Sequence, residues 1–477
     1  VKKDLRFFRV KGPWLGRNTR NARNNVLPNQ SADDDNMEVV APGAIQRRSG
    51  FRQYVLYDYN GKENYALHRF ITLDGTKYLL CGFDTVVDAW RGDDYPPYDR
   101  RSVRTGLTAN VDRFMAQAKG RIYCSSFDDS YTDPAQVVDT SGILQTTAED
   151  ANKPWFWDGT ENGTFSMGIM NVSGGGTVTG TAGSMDYAGG GADEYWYKIA
   201  AVMGDRGEGP AEMIGTSMTA AFAGAAAANG SAALTWYHVP NATKYRIYRT
   251  IAKTAGGNSA GPYYYITERD AVVGTNTFTD TLNDSDLSEP MPDQPLFGWG
   301  LFPKFKYLTW HRNRMFMAYV REVTDYSSPV QVDASETLPN RMYYSDLYYP
   351  DRIMGFIDVQ PDDKDYIMQI VSYLDQLVVL KRNSIHLLQG VGPSDWQVQR
   401  LTTKNGCAAP RSVSVVDGVL VWLSGDGWYA WRGAGLPERF SEMIRPDLDG
   451  FTAARIALGS SCYDQGQLIT SIPKASS

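Results

Sequence analysis

On residue type alone, the groups most able to do chemistry are four acidic runs: Asp33-Asp-Asp35, Asp93-Asp94, Asp128-Asp129 and Pro361-Asp-Asp-Lys-Asp365. Paired carboxylates serve glycoside hydrolysis, and grouped ones hold calcium. Neighbouring side chains on a strand point to opposite faces, so consecutive aspartates do not converge on one bond. None of the runs follows the full EF-hand loop pattern, and solvated turns account for them. The four histidines, His68, His238, His311 and His386, stand in no metal-ligand or zincin spacing. His386 lies inside an apolar run, where a structural imidazole is expected. The four cysteines, Cys81, Cys124, Cys407 and Cys462, form no C-x-x-C pair and read as reduced core residues made in a cytoplasm. A G-x-S-x-G elbow, a phosphate-binding P-loop and a Rossmann glycine fingerprint are all missing from the sequence. No catalytic, cofactor-binding or metal-binding residue is therefore expected, no cofactor is implied, and the chain reads as a non-enzyme.

Two aromatic runs, Met342-Tyr-Tyr-Ser-Asp-Leu-Tyr-Tyr-Pro350 and Pro262-Tyr-Tyr-Tyr265, have the residue types that stack on sugars. They keep open an alternative class, a carbohydrate-binding host-receptor or depolymerase protein, which would need an acidic pair converging in an aromatic cleft. Sheet cores use the same residues for packing.

The formal charge of −7 argues against a chain that wraps nucleic acid along its whole surface. The charge is unevenly spread. Residues 1–25 hold eight basic side chains against the single acid Asp4, so the remainder carries −14 by subtraction. Arg6, Arg9, Arg17, Arg20 and Arg23 are the candidate partner contacts of this arm. A solvated terminal arm is the other reading of the same residues. The opening Val-Lys-Lys-Asp-Leu lacks the apolar run of a secretory signal, and no stretch of about 18 apolar residues predicts a membrane span. The chain is expected to be soluble. Because it starts on Val instead of Met, the natural protein is expected to extend further.

The elements that must position these groups are short strands. At 477 residues the chain exceeds one core, and 29 Tyr, 12 Trp and 46 Gly favour pleated strands joined by tight turns. Runs such as Lys77-Tyr-Leu-Leu-Cys-Gly82, Gln376-Leu-Val-Val-Leu-Lys381 and Gly418-Val-Leu-Val-Trp-Leu423 recur between Gly, Asp and Asn turns. Three end alike: Asp88-Ala-Trp-Arg-Gly92, Trp155-Phe-Trp-Asp-Gly159 and Tyr429-Ala-Trp-Arg-Gly433, with Leu387-Leu-Gln-Gly390 a weaker relative. The step from Gly390 to Gly433 matches one propeller blade of roughly 40 to 50 residues. The repeated aromatic is expected on a blade's outer strand, packed against the next blade, with Gly making the turn.

Residues 163–295 differ in character. Tyr195-Trp-Tyr-Lys-Ile-Ala-Ala-Val202, Ala233-Leu-Thr-Trp236 and Ala242-Thr-Lys-Tyr-Arg-Ile-Tyr-Arg249 resemble a fibronectin type III module, with the Trp filling the core and the Tyr-x-Ile-Tyr strand facing it. Ala220 to Ala228 is expected as coil or sandwich edge instead of helix. The predicted fold class is all-β: a β-propeller-like domain with an inserted immunoglobulin/fibronectin III-like sandwich. The predicted segments are a basic arm and entry at 1–50, first blades at 51–162, the sandwich at 163–295 and further blades at 296–477.

Three phrases carry a wider resemblance. They are Asn24-Asn-Val-Leu-Pro28 with Asp35-Asn-Met37 and Pro42-Gly-Ala-Ile-Gln-Arg-Arg-Ser-Gly-Phe51; Leu308-Thr-Trp-His-Arg-Asn-Arg-Met-Phe316 with Met342-Tyr-Tyr-Ser-Asp346; and Leu377-Val-Val-Leu-Lys-Arg-Asn-Ser-Ile-His-Leu-Leu-Gln-Gly390 with Leu423-Ser-Gly-Asp-Gly-Trp-Tyr429. Together they resemble the tail hub or nozzle proteins of short-tailed bacteriophages, also described as packaged-DNA stabilisation proteins. The resemblance implies a structural virion protein of the tail, made in the host cytoplasm. It implies a homo-oligomeric, usually hexameric, ring around the DNA exit channel below portal and adaptor proteins, holding tail fibres or spikes and touching viral DNA transiently in its lumen. It also implies no catalysed reaction. The sequence departs from the pattern at Leu468-Ile-Thr-Ser-Ile472, where a fresh strand begins close to Ser477.

Overall fold

A computed structural model describes residues 64–92, 99–109, 111–127, 153–160, 164–168, 230–254, 261–296, 302–323, 335–442, 445–464 and 467–473, with shorter stretches at 37–41, 44–47, 136–138, 144–146, 172, 177–181, 193–211, 213 and 219–222. The chain divides into two compact units, one of residues Tyr59–Asp358 and one of Val1–Asp58 with Val359–Ser477. Both contain four-stranded antiparallel sheets in which each strand pairs with the next of its sheet in chain order. That is the topology of propeller blades.

In the first unit, blade one comprises Asn64–Ile71, Lys77–Phe83, Val86–Arg91 and Asp99–Arg104. Blade two comprises Met115–Ala118, Arg121–Cys124, Trp155–Trp157 and Thr164–Ser166, with the separate hairpin Gln136–Val138/Leu144–Thr146 between its second and third strands. Its last strand therefore lies just past residue 162, where the sequence placed the boundary. The sandwich follows, and then blade three with Lys304–His311, Arg314–Val323, Ser335–Asp346 and Tyr349–Asp358. In the second unit, blade four holds Ile367–Tyr373, Gln376–Lys381, Ile385–Gln389 and Gln397–Thr402, and blade five Ser414–Val416, Val419–Ser424, Gly427–Trp431 and Glu438–Arg439. A two-stranded sheet, Ser460–Asp464 with Gln467–Ser471, comes last.

Strand periodicity explains how the blades stack. Alternate residues of a strand face opposite sides, so a sheet between two neighbours must be apolar on both. In blade two, Ile122, Cys124, Trp155 and Trp157 pack on Phe70, Tyr78, Leu80, Val87 and Ala89 of blade one. The interleaved Tyr123 and Phe156 pack instead on Phe305, Met315, Met317 and Tyr343 of blade three. Blade five repeats the scheme. Leu420, Trp422, Tyr429 and Trp431 meet Val378, Leu380, Ile385 and Leu387 of blade four. Val421, Leu423 and Trp428 meet Leu448, Ile456, Leu468 and Ile472 on the other side.

The repeated aromatic-glycine phrase has one structural address. Gly92, Gly159, Gly390 and Gly433 all follow the third strand of their sheets, and all have positive φ, between 91° and 116°. The expectation of an outer strand packed on the next blade is corrected on both counts. Trp157 packs backward, 5.0 Å from Tyr78 and 5.6 Å from Phe70 of blade one, and Trp431 lies 5.7 Å from Tyr373 of blade four. Each indole N–H donates to a carbonyl just beyond its glycine, Thr160 at 2.7 Å and Gly435 at 3.0 Å. A β-carbon on Gly159 would overlap Thr72, and one on Gly433 would overlap Leu374, both in the first hairpin turn of the preceding blade. Glycine is thus required twice over, by conformation and by space. Leu387-Leu-Gln-Gly390 keeps the glycine without the aromatic; there a β-carbon would meet the Asp395 backbone.

The sandwich packs Thr177–Thr181, Ser231–Tyr237 and Thr275–Asp280 against Thr219–Phe222, Asp193–Val202, Lys244–Thr250 and Tyr263–Asp270. Trp236 fills the core edge-on to Tyr245 at 5.4 Å, with Tyr195, Tyr197, Leu234 and Ile247 around it. Thr219–Phe222 is an edge strand, so the start of the alanine-rich run is the sandwich edge that the sequence suggested. The chain order differs from an immunoglobulin sandwich. The hairpin Asp193–Val202/Thr219–Phe222 occupies the place that the last two strands, F and G, take in that fold, yet it comes second and third in the chain.

Trp157→Ala and Trp431→Ala are each expected to destabilise their own unit by about 3–5 kcal/mol, measured by urea unfolding followed separately in the two units. Losses under about 1 kcal/mol would show that the backward packing is incidental.

Candidate functional site

The candidate partner contacts Arg6, Arg9, Arg17, Arg20 and Arg23 lie outside the described residues, as do Asp33-Asp-Asp35, Asp93-Asp94 and Asp128-Asp129. Of the acidic runs, only Pro361-Asp-Asp-Lys-Asp365 is described. It forms a short 3-10 turn in which Asp363 pairs with the buried Lys381. The aromatic runs are mostly engaged in packing, although Leu347 and Tyr348 are exposed. Met342, Tyr343 and Tyr263 are buried, Tyr265 packs on Tyr248, and Lys119 sits 5.3 Å over the Tyr349 ring. Cys81, Cys124 and Cys407 are buried as expected, and burial pushes their thiols up to about 12. Cys462 is a correction: it is exposed on the final hairpin.

Among the described residues of the first unit, a cavity of about 310 Å³ lies where blade one, blade two and a sandwich loop meet. Its walls are the turn Thr72–Thr76, the turn at Lys119 and Gly120, the segment Asp158–Thr160, and Asp205. Turns supply most of the wall, with Tyr78 and Arg121 added from the adjoining strands, because the stacking of blades one and two brings their strand ends to a common rim. Three carboxylates and two cations line it, and each carboxylate is already engaged. Asp74 accepts from the Thr72 hydroxyl and from the Thr76 hydroxyl and amide. These bonds, the Thr72 one foremost, hold its carboxyl below the usual range. Asp158 accepts from the Thr160 amide and hydroxyl at 2.9 and 2.7 Å. Asp205 takes a two-pronged bond from Arg121 at 2.8 and 3.0 Å, and Lys119 donates to the Tyr348 carbonyl at 2.9 Å. A general acid needs a carboxyl whose pKa is raised toward neutrality; Asp74 is shifted the opposite way.

Beside the cavity, the loop Met203–Gly209 fastens the sandwich to the blades. Arg206 pairs with Asp351 of blade three at 3.1 Å, the two side chains being 10% and 1% exposed. It also donates to the carbonyls of Ser166 and Gly168 at 3.1 and 2.6 Å and lies 5.0 Å over the Phe156 ring. Asp351 further accepts from the Gly168 amide at 3.3 Å. A guanidinium suits this place because its planar fork serves several acceptors at once while stacking on a ring. A β-carbon on Gly207, at φ +92°, would collide with Tyr349 and Arg352. Sequence reading found neither Arg206 nor Asp351, because the pair joins residues 145 apart. The turn Gly204-Asp-Arg-Gly207 was the one local signal.

Among the described residues no group of three or more His, Cys, Asp or Glu would hold a metal ion, and no helix is long and apolar enough to cross a membrane. No protein-family profile matches the chain, and no curated protein matches it in sequence. Among solved structures, a protein of Lactobacillus plantarum is similar at 12% identity over 83% of this chain and 87% of its own, with a TM-score of 0.30. The β-propeller domain of Myceliophteria thermophila Cps50 (Swd1) is similar at 8% identity over 80% and 87%, with a TM-score of 0.29. Scores this low carry no argument about function.

Removing Arg206 leaves Asp351 buried and unpaired, so Arg206→Met is expected to cost about 3–5 kcal/mol and to raise amide exchange across 203–209. Adding Asp351→Asn should recover part of the loss in a double-mutant cycle, whereas additive losses would mean that the two side chains do not act as a pair.

Proposed function

We propose that this chain is a structural virion protein of a phage tail, a nozzle or hub subunit that rings the DNA exit channel, retains the genome and guides its ejection. The observation that carries the reading is the position of the family-like phrases. Leu308–Phe316 makes the first hairpin of blade three, Leu377–Gly390 the second and third strands of blade four, and Leu423–Tyr429 the central turn of blade five. The phrases of blades four and five thus fall on the same second and third strands of their sheets, and that of blade three on the first hairpin of its own, which supports a blade-repeat reading.

The mechanism is mechanical and electrostatic. Stacked sheets with two buried faces make a stiff wall. The chain outside residues 1–25 carries −14, and a wall of that sign lets DNA slide where clustered Lys and Arg would bind phosphate. The basic arm, through Arg6, Arg9, Arg17, Arg20 and Arg23, docks the subunit to an adaptor ring or to its neighbour. The sandwich is a module for contact with tail fibres or with the host surface, and Arg206 fixes its angle to the blades.

Negative-stain electron microscopy and mass photometry of the purified protein test this directly. Closed rings of about six subunits with a central hole are expected, since head-to-tail interfaces that close generate rings. A monomer or trimer that persists when portal and adaptor rings are added would overturn the reading, and glycan binding by that species would favour a receptor protein. Changing the five arginines to Gln should weaken association with the adaptor and flatten its salt dependence.

A further inference from the structure

We propose that Asp365, Ser384 and His386, together with the Lys381–Asp363 pair, form an acid-released staple that ties residues 359–366 to blade four. This segment leads from the last strand of blade three to the first strand of blade four, and the boundary between the two compact units falls at its start. Its backbone is costly to hold. Gln360 and Lys364 both adopt left-handed conformations, with φ of 43° and 57°. Such residues persist only where their surroundings fix them.

The fixing groups come from blade four. Lys381, fully buried, donates to the Gln360 carbonyl at 3.0 Å and to both oxygens of Asp363 at 2.9 Å. Arg400 donates to the Gln360 side chain. Asp365, also buried, accepts from the amides of Tyr366 and Asn383 at 3.0 and 3.1 Å and from the Ser384 hydroxyl at 2.8 Å. The Ser384 oxygen lies 3.0 Å from Nε2 of His386. A hydroxyl has one proton to give. Because Ser384 gives it to Asp365, Nε2 of His386 must be the protonated nitrogen and donate to Ser384. Nδ1 is then a bare lone pair, and it is buried without a hydrogen-bond partner.

In acid the only place for a further proton is Nδ1. The result is an imidazolium with an unpaired buried N–H, facing the Lys381 ammonium and the Arg400 guanidinium, with Asp363 and Asp365 offsetting them in part. Burial first, then those two cations, lowers the His386 pKa to about 4 from its ordinary 6.5. Asp363 stays charged in the same range. Burial opposes its ionisation, but the hydrogen bond from Lys381 prevails and holds it below the usual carboxylate pKa. The sign follows from linkage. The folded pKa of His386 is depressed, so its contribution is complete above about pH 6.5 and is lost as pH falls toward 4. Local opening that exposes His386 is then favoured about tenfold by pH 5.5 relative to neutral solution, and more below it.

Hydrogen-exchange mass spectrometry of the whole protein, corrected for intrinsic pH effects, reads this out. Protection of residues 359–366 is expected to fall about tenfold between pH 7.5 and 5.5, while the amides of Gln376–Lys381 keep theirs. In His386→Gln, whose amide still donates to Ser384 but does not titrate, the segment should show a flat profile. Equal pH-dependent loss in both proteins, or no loss in the wild type down to about pH 4.5, would overturn the proposal. A nitrogen-15 spectrum of wild-type His386 gives a second test that needs no variant. It must show the Nε2–H tautomer at neutral pH, and the Nδ1–H tautomer would sink the idea.

Discussion

A sheet buried on both faces has no polar side to offer water, and this constraint shapes the chain wherever blades stack. Its second and third strands must be apolar at successive positions, and each neighbouring pair of residues must fit two different partners. Trp155-Phe156-Trp157 meets the demand within three residues, the indoles turning to blade one and the phenyl ring to blade three. Large aromatics fill the gap between sheets about 10 Å apart, which shorter side chains would leave void. The glycine after Trp157 and Trp431 follows from the same packing, since a ring pressed against the preceding sheet brings the next turn against that sheet's hairpin.

This logic accounts for what the sequence disclosed. Continuous apolar runs between Gly, Asp and Asn turns marked the strands, and the aromatic-glycine phrase marked a repeat with a fixed place in blades one, two and five. Period-two alternation shows that a strand has two faces without showing which face meets which neighbour, so the direction of packing of Trp157 and Trp431 was not legible. The sandwich was visible through Trp236 and Tyr245, which meet in its core. Its strand order was hidden, because each strand signature is local and carries no record of its pairing. The candidate cavity was invisible for a similar reason: Thr72, Arg121, Asp158 and Asp205 are brought together by stacking and not by any motif.

Buried polar groups mark the joints where packing alone would allow alternatives. Inside the sandwich, Arg249 and Asp280 pair at 2.7 Å with both side chains fully buried, Tyr197 donates to Asp280, and Arg249 donates further to Asp284 and to the Leu282 carbonyl. Arg206 and Asp351 do the same between sandwich and blades, and Lys381 and Asp363 at the entry to blade four. Buried ion pairs add little net stability, but breaking one is costly, so they penalise every arrangement that fails to form them. Apolar faces supply the adhesion, and these pairs select the geometry.

The permuted order of the sandwich bears on how the domain responds to tension. Its first and last strands, Thr177–Thr181 and Thr275–Asp280, flank Ser231–Tyr237 in one sheet and run parallel to each other, with Thr177 opposite Thr235 and Asp280 opposite Ala232. The chain enters at one end of this sheet and leaves toward the other. A pull on the two connections would therefore load these ladders lengthwise, in shear, so that the hydrogen bonds on each side of the central strand yield together instead of unzipping singly. Had the terminal strands been joined to the blades at one end of the sheet, the same force would peel them off one bond at a time.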